Sequence, residues 1–283
     1  MKKFAARSDM EGLYGVVSWS EVIPGTVTYE GARQWLHEEV DALARGLSVG
    51  GESYLEVYDE HYYGLNLNPG LLPKGVGVIR GKPPYRADWP GGLDASFSGL
   101  ILQGYHAMTG TAGGILSHTY EPDIAAIHIN EKLVGEIGVE AAIAGEAGVP
   151  FVLYIGDRHG AEEARALVPG VETVIVKEGM GMQRGLCRNG KEVREEIESV
   201  ARRVAKNRPA VKLLTFGSEV VLRVTLFPSA YRDRLRDDQP MIWEGDEKVV
   251  LRAATVTAAW ADYWAMKDAA LEAIKVIKNQ TCP

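Results

Sequence analysis

Leu100–Tyr120, LILQGYHAMTGTAGGILSHTY, opens on an apolar run and turns into glycine and small residues at a histidine. Leu100-Ile101-Leu102 has the character of a strand buried on both faces. Gly104-Tyr105-His106 leaves it, a loop carrying Gly110, Thr111, Ala112, Gly113 and Gly114 follows, and Ser117-His118 closes the stretch. Two of the chain's six histidines therefore flank one glycine-rich loop after a strand. In α/β proteins ligands collect beyond the carboxyl ends of strands, so this stretch marks a candidate site.

The same arrangement recurs on both sides of it. Phe4–Ser8 reads as a short strand running into Asp9-Met10-Glu11-Gly12. In an extended chain residues i and i+2 share a side, which puts the two carboxylates together. Like charges so placed repel, and a divalent metal between them is the simplest remedy. Tyr54–Tyr58 is the next strand and ends in Asp59-Glu60-His61. An Asp near a ligating His commonly fixes its tautomer, a role open to Asp59.

Between these strands, Tyr29–Leu47 repeats apolar residues at helical spacing, with Thr28 as candidate N-cap and His37, off the apolar stripe, as a surface residue. Residues 64–98 are rich in Pro and Gly and read as a loop rim around one short apolar piece, Val76–Ile79. Beyond Tyr120, Ile124–Ile129 reads as a strand, Gly138–Gly148 as an Ala-rich helix beside Glu136, and Phe151–Ile155 and Val171–Val176 as further strands. Ala161–Leu167 and Lys191–Lys206 are helical, Val211–Thr215, Val220–Leu226 and Lys248–Leu251 strand-like, and Thr255–Lys278 a long helix. Gly179 and Gly181 lie in a Gly/Met loop without phosphate-loop spacing.

Strands alternating with helices predict an α/β fold: a three-layer sheet core with helices on both faces, plus a smaller C-terminal α+β part. The chain changes character near Asn207, which predicts a metal-binding catalytic domain over 1–206 and a C-terminal segment over 207–283, a candidate for oligomerisation. At 283 residues, 46% hydrophobic and 24% charged, the composition is that of a globular protein. A net charge of −7 gives no reason to expect nucleic acid or a membrane surface as partner. The N-terminus has no signal-peptide pattern and no apolar run approaches membrane length, so a cytoplasmic protein is expected. Cys187 and Cys282 are too few for a disulfide framework and too isolated for a cysteine-based zinc site.

Asp9, Glu11, His61, His106 and Glu136 each follow a strand or its turn. Five ligands exceed one tetrahedral catalytic zinc, which takes about three protein ligands plus water. They suit two divalent ions ~3.5–4 Å apart bridged by a carboxylate. Mixed imidazole and carboxylate ligation favours zinc, with manganese or cobalt as alternatives. His118 is left over as a proton donor or oxyanion stabiliser.

Several short motifs in one order, Asp9-Met10-Glu11-Gly12, Asp59-x-His61, Gly104-Tyr105-His106-Ala107, Gly110-Thr111, Ser117-His118-Thr119, Ile129-Asn130, Gly135-Glu136 and Val149-Pro150…Gly156-Asp157, resemble the zinc D-aminopeptidase family of the dipeptide-transport operon type. The resemblance covers residues 1–177 well and the remainder loosely. It implies a dinuclear zinc site ligated by Asp9, Glu11, His61, His106 and Glu136, with Asp9 bridging and His118 catalytic. It further implies a ring-shaped homo-oligomer, a decamer, that encloses its active sites. The activity implied is removal of an N-terminal residue, a D-amino acid, from short peptides or amides by a hydroxide held between the zinc ions. A broader amidase on small non-peptide amides, or a non-enzymatic peptide- or metal-binding protein, are the alternatives.

The chain departs from the family pattern in places. Asp59-Glu60-His61 stands where the family often has Asp-Ser-His, Gly156-Asp157-Arg158 where it has Gly-Asp-Asp, and Glu140 where it has Asn. The Lys177–Arg184 segment is longer and richer in Gly and Met. These changes spare the ligands and bear on substrate preference. Glu140 is the candidate substrate-binding residue, able to attract a cationic amine.

Overall fold

The computed structural model describes residues 1–239 and 242–281; Cys282 lies outside them. Its centre is β1 (Lys2–Ser8), paired in parallel with β2 (Ser53–Asp59) on one side and β4 (Gly99–Tyr105) on the other. Beyond β2 lies β3 (Val76–Ile79), and beyond β4 lie β7 (Phe151–Asp157), β8 (Glu172–Gly179) and the antiparallel β9 (Gly185–Cys187). The order β3-β2-β1-β4-β7-β8-β9 reverses direction at β1, so the carboxyl ends of β1 and β4 form a topological switch point.

Alternation along the strands builds two cores, because successive side chains point to opposite faces. Phe4, Ala6 and Ile101 face the helices α2 (Tyr29–Gly46) and α5 (Gly190–Lys206). Ala5, Leu100 and Leu102 face α3 (Glu136–Glu146) and α4 (Arg158–Leu167). The three-layer α/β arrangement is thus the expected one.

A second, antiparallel sheet has the order β11-β12-β10-β5-β6. It joins β5 (Ile124–Ile129) and β6 (Lys132–Val134) to β10 (Val220–Leu226), β11 (Trp243–Glu244) and β12 (Lys248–Ala253). It therefore straddles the change of character at Asn207 rather than lying beyond it. The long helix α7 (Val256–Thr281) shares its core with α3 through Trp260 and Tyr263. No helix among the described residues is long and apolar enough to cross a membrane.

Three local expectations change. Val211–Thr215 is not a strand: its backbone crosses α3 at Gly145, where a Cβ would stand 2.1 Å from the Leu214 carbonyl oxygen, and no strand pairs with it among the described residues. Thr28 takes the N-cap position of α2, but its hydroxyl donates to the Ser20 carbonyl at 2.8 Å. His37 is half-buried; its Nδ1 lies 2.7 Å from the Arg33 carbonyl and its Nε2 accepts from the Asn68 amide. Two helices have no counterpart in the sequence reading. The four-residue α1 (Trp19–Val22) is held by a Ser18/Glu21 capping box, and α6 (Ala230–Asp238) buries only Tyr231 and Leu235.

One buried polar chain ties the layers together beneath the switch point. Ser8 Oγ donates to Gln103 Oε1 at 2.6 Å, Gln103 Nε2 donates to Glu39 Oε2 at 2.8 Å, and Glu39 Oε1 accepts from the Tyr14 amide at 3.0 Å. Burial pushes Glu39 up to about 7, against the two hydrogen bonds it accepts. Its folded value lies above the unfolded one, so its contribution to stability is complete below about 4.5 and is lost as pH rises to about 7. At ~1.4 kcal/mol per unit this amounts to about 3 kcal/mol. Glu39→Gln keeps the side-chain volume and removes the titration. Chemical denaturation from pH 4.5 to 7.5 should show a flatter stability profile for the variant than for the parent; parallel profiles would refute the assignment.

Candidate metal centre

Two glycines bring the end of β1 against the end of β4. Gly104 has φ +74°, a left-handed value that favours glycine, and a Cβ there would stand 2.0 Å from the Asp9 carbonyl oxygen. A Cβ on Gly12 would stand 1.9 Å from the Tyr105 carbonyl oxygen. In that contact the Asp9 amide donates to Gln103 O at 2.9 Å and the Gly12 amide to Gly104 O at 2.6 Å. Asp9 and Glu11 are thereby delivered to His106. Lys177, buried at the end of β8, fastens the loop from behind by donating to the carbonyls of Glu11 and Val16. Burial lowers its pKa to about 8, which the nearby Asp157 opposes.

His61 follows β2, Glu136 opens α3, and His118 ends the glycine-rich loop; all turn into one cavity of about 1070 Å³. Asp9 lies between the histidines, with Oδ1 2.9 Å from His61 Nδ1 and Oδ2 3.4 Å from His106 Nε2. Glu11 Oε2 is 3.1 Å from His61 Nδ1, and Glu136 Oε1 is 3.5 Å from His106 Nε2. His118 stacks on His106 with ring centroids 4.2 Å apart, and its Nε2 is 4.0 Å from Glu136 Oε1. The six side chains form two metal-sized groups, Asp9–Glu11–His61 and His106–His118–Glu136.

Each imidazole has one nitrogen against a backbone carbonyl, which can only accept. His61 Nε2 is 2.6 Å from Val22 O, His106 Nδ1 3.0 Å from Ala107 O, and His118 Nδ1 2.9 Å from Leu116 O. Those nitrogens carry the hydrogens, so a neutral ring turns a lone pair into the cavity. For His61 and His106 that lone pair meets carboxylate oxygens, an arrangement that needs a positive charge in between. Glu11 Oε2 and His106 Nε2 are buried without a hydrogen-bond partner among the described residues. In the protein alone the charge falls on the rings. Burial opposes it, but Glu11 and Asp9 raise His61 well above the usual imidazole value, and Glu136 and Asp9 raise His106 to about 10. Burial resists ionisation of Asp9 too, yet His106 and His61 hold it well below the ordinary carboxylate range. His118 goes the other way, lowered to about 4 by burial and by His106. The donor set fits divalent cations, with each ring fixed by a carbonyl behind it.

Around this centre lie the residues that shape its walls, and Asp59 does not take the role open to it. Asp59 does not touch the His61 ring. Its carboxylate accepts from the amides of Asn66 and Leu67 and from Asn66 Nδ2, and so shapes the loop after β2. Asp157 caps α4 through Gly160 and accepts from the Ala107 amide at 3.2 Å, steadying the residue after His106. Tyr120 donates its amide to Glu136 at 2.5 Å and its hydroxyl to Glu140 at 2.9 Å. Glu140 is buried inside the cavity wall rather than solvated. Met182 also reaches the cavity, from the Gly/Met loop.

An α/β sheet with paired His/carboxylate groups at its switch point defines a metallohydrolase-like site. A family model described as D-aminopeptidase matches residues 2–266, and the chain belongs to that family of metallopeptidases. It is 31% identical over 219 residues to a D-aminopeptidase of Bacillus subtilis (strain 168), spanning 76% of this chain and 78% of that protein. A solved structure described as the Zn-dependent D-aminopeptidase DppA from Bacillus subtilis, a self-compartmentalizing protease, superposes with a TM-score of 0.87 at 26% identity, covering 95% of this chain and 98% of that one. The chain is thus an enzyme, a peptidase acting on amide bonds, with the fold of DppA.

Proposed function

We propose that the enzyme removes an N-terminal D-amino acid from short peptides or amides with two divalent ions, zinc in the first place, held by these residues. The observation that carries this reading is the set of imidazoles tied by carbonyls and turned onto buried carboxylates. Asp9 would be the shared ligand, since its two oxygens face one group each; Glu11 and His61 would complete one group, His106 and Glu136 the other. When bound, such an ion pair activates water near neutral pH and polarises the scissile carbonyl.

The chain's own side chains do the rest. His118 keeps its Nδ1 hydrogen on Leu116 O, so Nε2 first accepts a proton from the attacking water and then returns it to the leaving amine. The tautomer therefore supports a base-then-acid role instead of donation alone. Trp19 packs edge-on against the His118 ring at 5.3 Å and limits its rotation. The cavity's aromatic walls favour short substrates over folded chains. A closed homo-oligomeric ring, a decamer by family resemblance, suits a fold shared with a self-compartmentalizing protease.

The test is metal analysis and light scattering on the purified protein. Alongside them, D- and L-aminoacyl amides, dipeptides and N-acetylated controls are assayed before and after chelation. About two ions per chain, chelation-sensitive cleavage of unblocked D-substrates and a mass well above the 30.9 kDa of one chain are expected. Efficient cleavage of acetylated substrates would reject an aminopeptidase in favour of a broader amidase. A monomer would reject the ring.

A further inference from the structure

Next to the metal groups, the cavity wall carries a second set of charges that the hydrolytic reading leaves unused. Glu140 lies one helical turn beyond Glu136, a rise of ~6 Å, and Glu60 directly precedes His61. Both line the cavity and both are held by tyrosines: Tyr105 donates to Glu60, and Tyr120 donates to Glu140 at 2.9 Å. Behind them sits Arg7, only 2% exposed. Its Nη atoms donate to the carbonyls of Gly91 and Pro90, each at 2.9 Å. Its Nε points between the carboxylates, 3.4 Å from Glu140 Oε2 and 3.7 Å from Glu60 Oε1, and has no hydrogen-bond partner among the described residues.

One guanidinium thus faces two carboxylates, and each carboxylate has one oxygen fixed by a tyrosine and the other loosely engaged. The remaining charged groups of the wall leave that imbalance as it is, since Glu121 pairs with the buried Lys267 at 3.7 Å and Asp268 is set against the exposed Lys82. Tyr85 adds a buried hydroxyl with no partner among the described residues. Tyr120, Trp260 and Trp264 pack on one another at 4.8 and 5.6 Å between ring centroids and give the same space an apolar side. A surplus of acceptors, negative charge and aromatic faces is the chemistry that recognises an ammonium on an aliphatic stem. It disfavours a carboxylate.

We propose that Glu60 and Glu140 form a subsite for a second cationic group of the substrate, the basic side chain of the N-terminal residue. The substrate class is then short peptides or amides that begin with a lysine- or ornithine-like residue. This rests on the aminopeptidase reading above. With the α-amine and scissile carbonyl at the metal groups, the four-carbon stem of a lysine runs past Tyr120 to the two carboxylates, ~6 Å along α3.

The zinc-loaded enzyme is assayed on D-lysyl, D-ornithyl, D-norleucyl and D-glutamyl amides, in the parent and in the Glu60→Gln and Glu140→Gln variants. The parent should favour D-lysyl over D-norleucyl in kcat/KM by ~10-fold or more, the usual worth of a hydrogen bond to a charged group. Either variant should collapse that ratio towards one. A neutral preference in the parent, or an equal loss on both substrates in the variants, would overturn the proposal; the latter would assign the carboxylates to the α-amine or to packing. Calorimetry of free D-lysine against D-norleucine on the parent protein gives an independent reading, with tighter binding of D-lysine expected and equal binding refuting the subsite. If no amide is cleaved, the aminopeptidase reading fails, while the calorimetry still decides the subsite.

Discussion

Asp9→Asn should empty the metal centre and leave a folded, nearly inactive protein. Asp9 is the carboxylate that meets a histidine of each group, with His61 on Oδ1 and His106 on Oδ2. An amide in its place offers one weak acceptor and one donor, so it cannot serve both sides and reduces the buried negative charge by one. Removing even an outer partner of a metal ligand costs up to ~10²-fold in affinity or activity, and the loss of a bridging carboxylate should exceed that. Elemental analysis should fall from about two ions per chain to less than one, with turnover down by more than ~10²-fold. His61→Ala is the comparator, because His61 belongs to one group only. It should lower the stoichiometry towards one and spare the other group. An Asp9→Asn protein that retains both ions and full turnover would remove Asp9 from the bridging position.

The residues of the metal centre are legible in the sequence for a physical reason. The strands of the central sheet are apolar runs, and each stops where polar residues begin, so Asp9, His61 and His106 announce themselves at strand ends. Their convergence follows from the switch point between β1 and β4. What surrounds them left no local trace. In α3 every residue from Glu136 to Gly145 is buried, so the helix has no polar face to show that Glu140 turns inward. β5 pairs with β10 across some ninety residues, and nothing in either strand names its partner. Lys177 reads as an ordinary lysine after a strand, although its ammonium is spent on two carbonyls of the metal-binding loop. Val211–Thr215 shows the opposite failure, a strand-like composition used as a strap over a helix. Composition records what a segment can do; partners far along the chain decide what it does.

His118→Ala should separate catalysis from metal binding. The ring stacks on His106 at 4.2 Å and stands 4.0 Å from Glu136 Oε1, so distance alone admits two roles, fourth member of the second metal group or proton carrier. Exposure and tautomer favour the carrier. His118 is only half-buried, whereas Asp9, Glu11, His61 and His106 are buried. The Leu116 carbonyl fixes its Nδ1 hydrogen, leaving Nε2 as the one nitrogen able to exchange a proton inside the cavity. A positioned acid–base group is worth ~10²–10⁴-fold. Turnover should fall by that factor on free amides while metal content and the thermal midpoint stay at the parent values. Substrates whose leaving group needs no proton, such as p-nitrophenyl esters, should lose less, because return of the proton is the step removed. His118→Gln retains a hydrogen-bonding side chain without the proton transfer and should behave like the alanine variant. Metal content falling in step with activity would make His118 a ligand, and equal losses on amides and nitrophenyl esters would deny it the return of the proton.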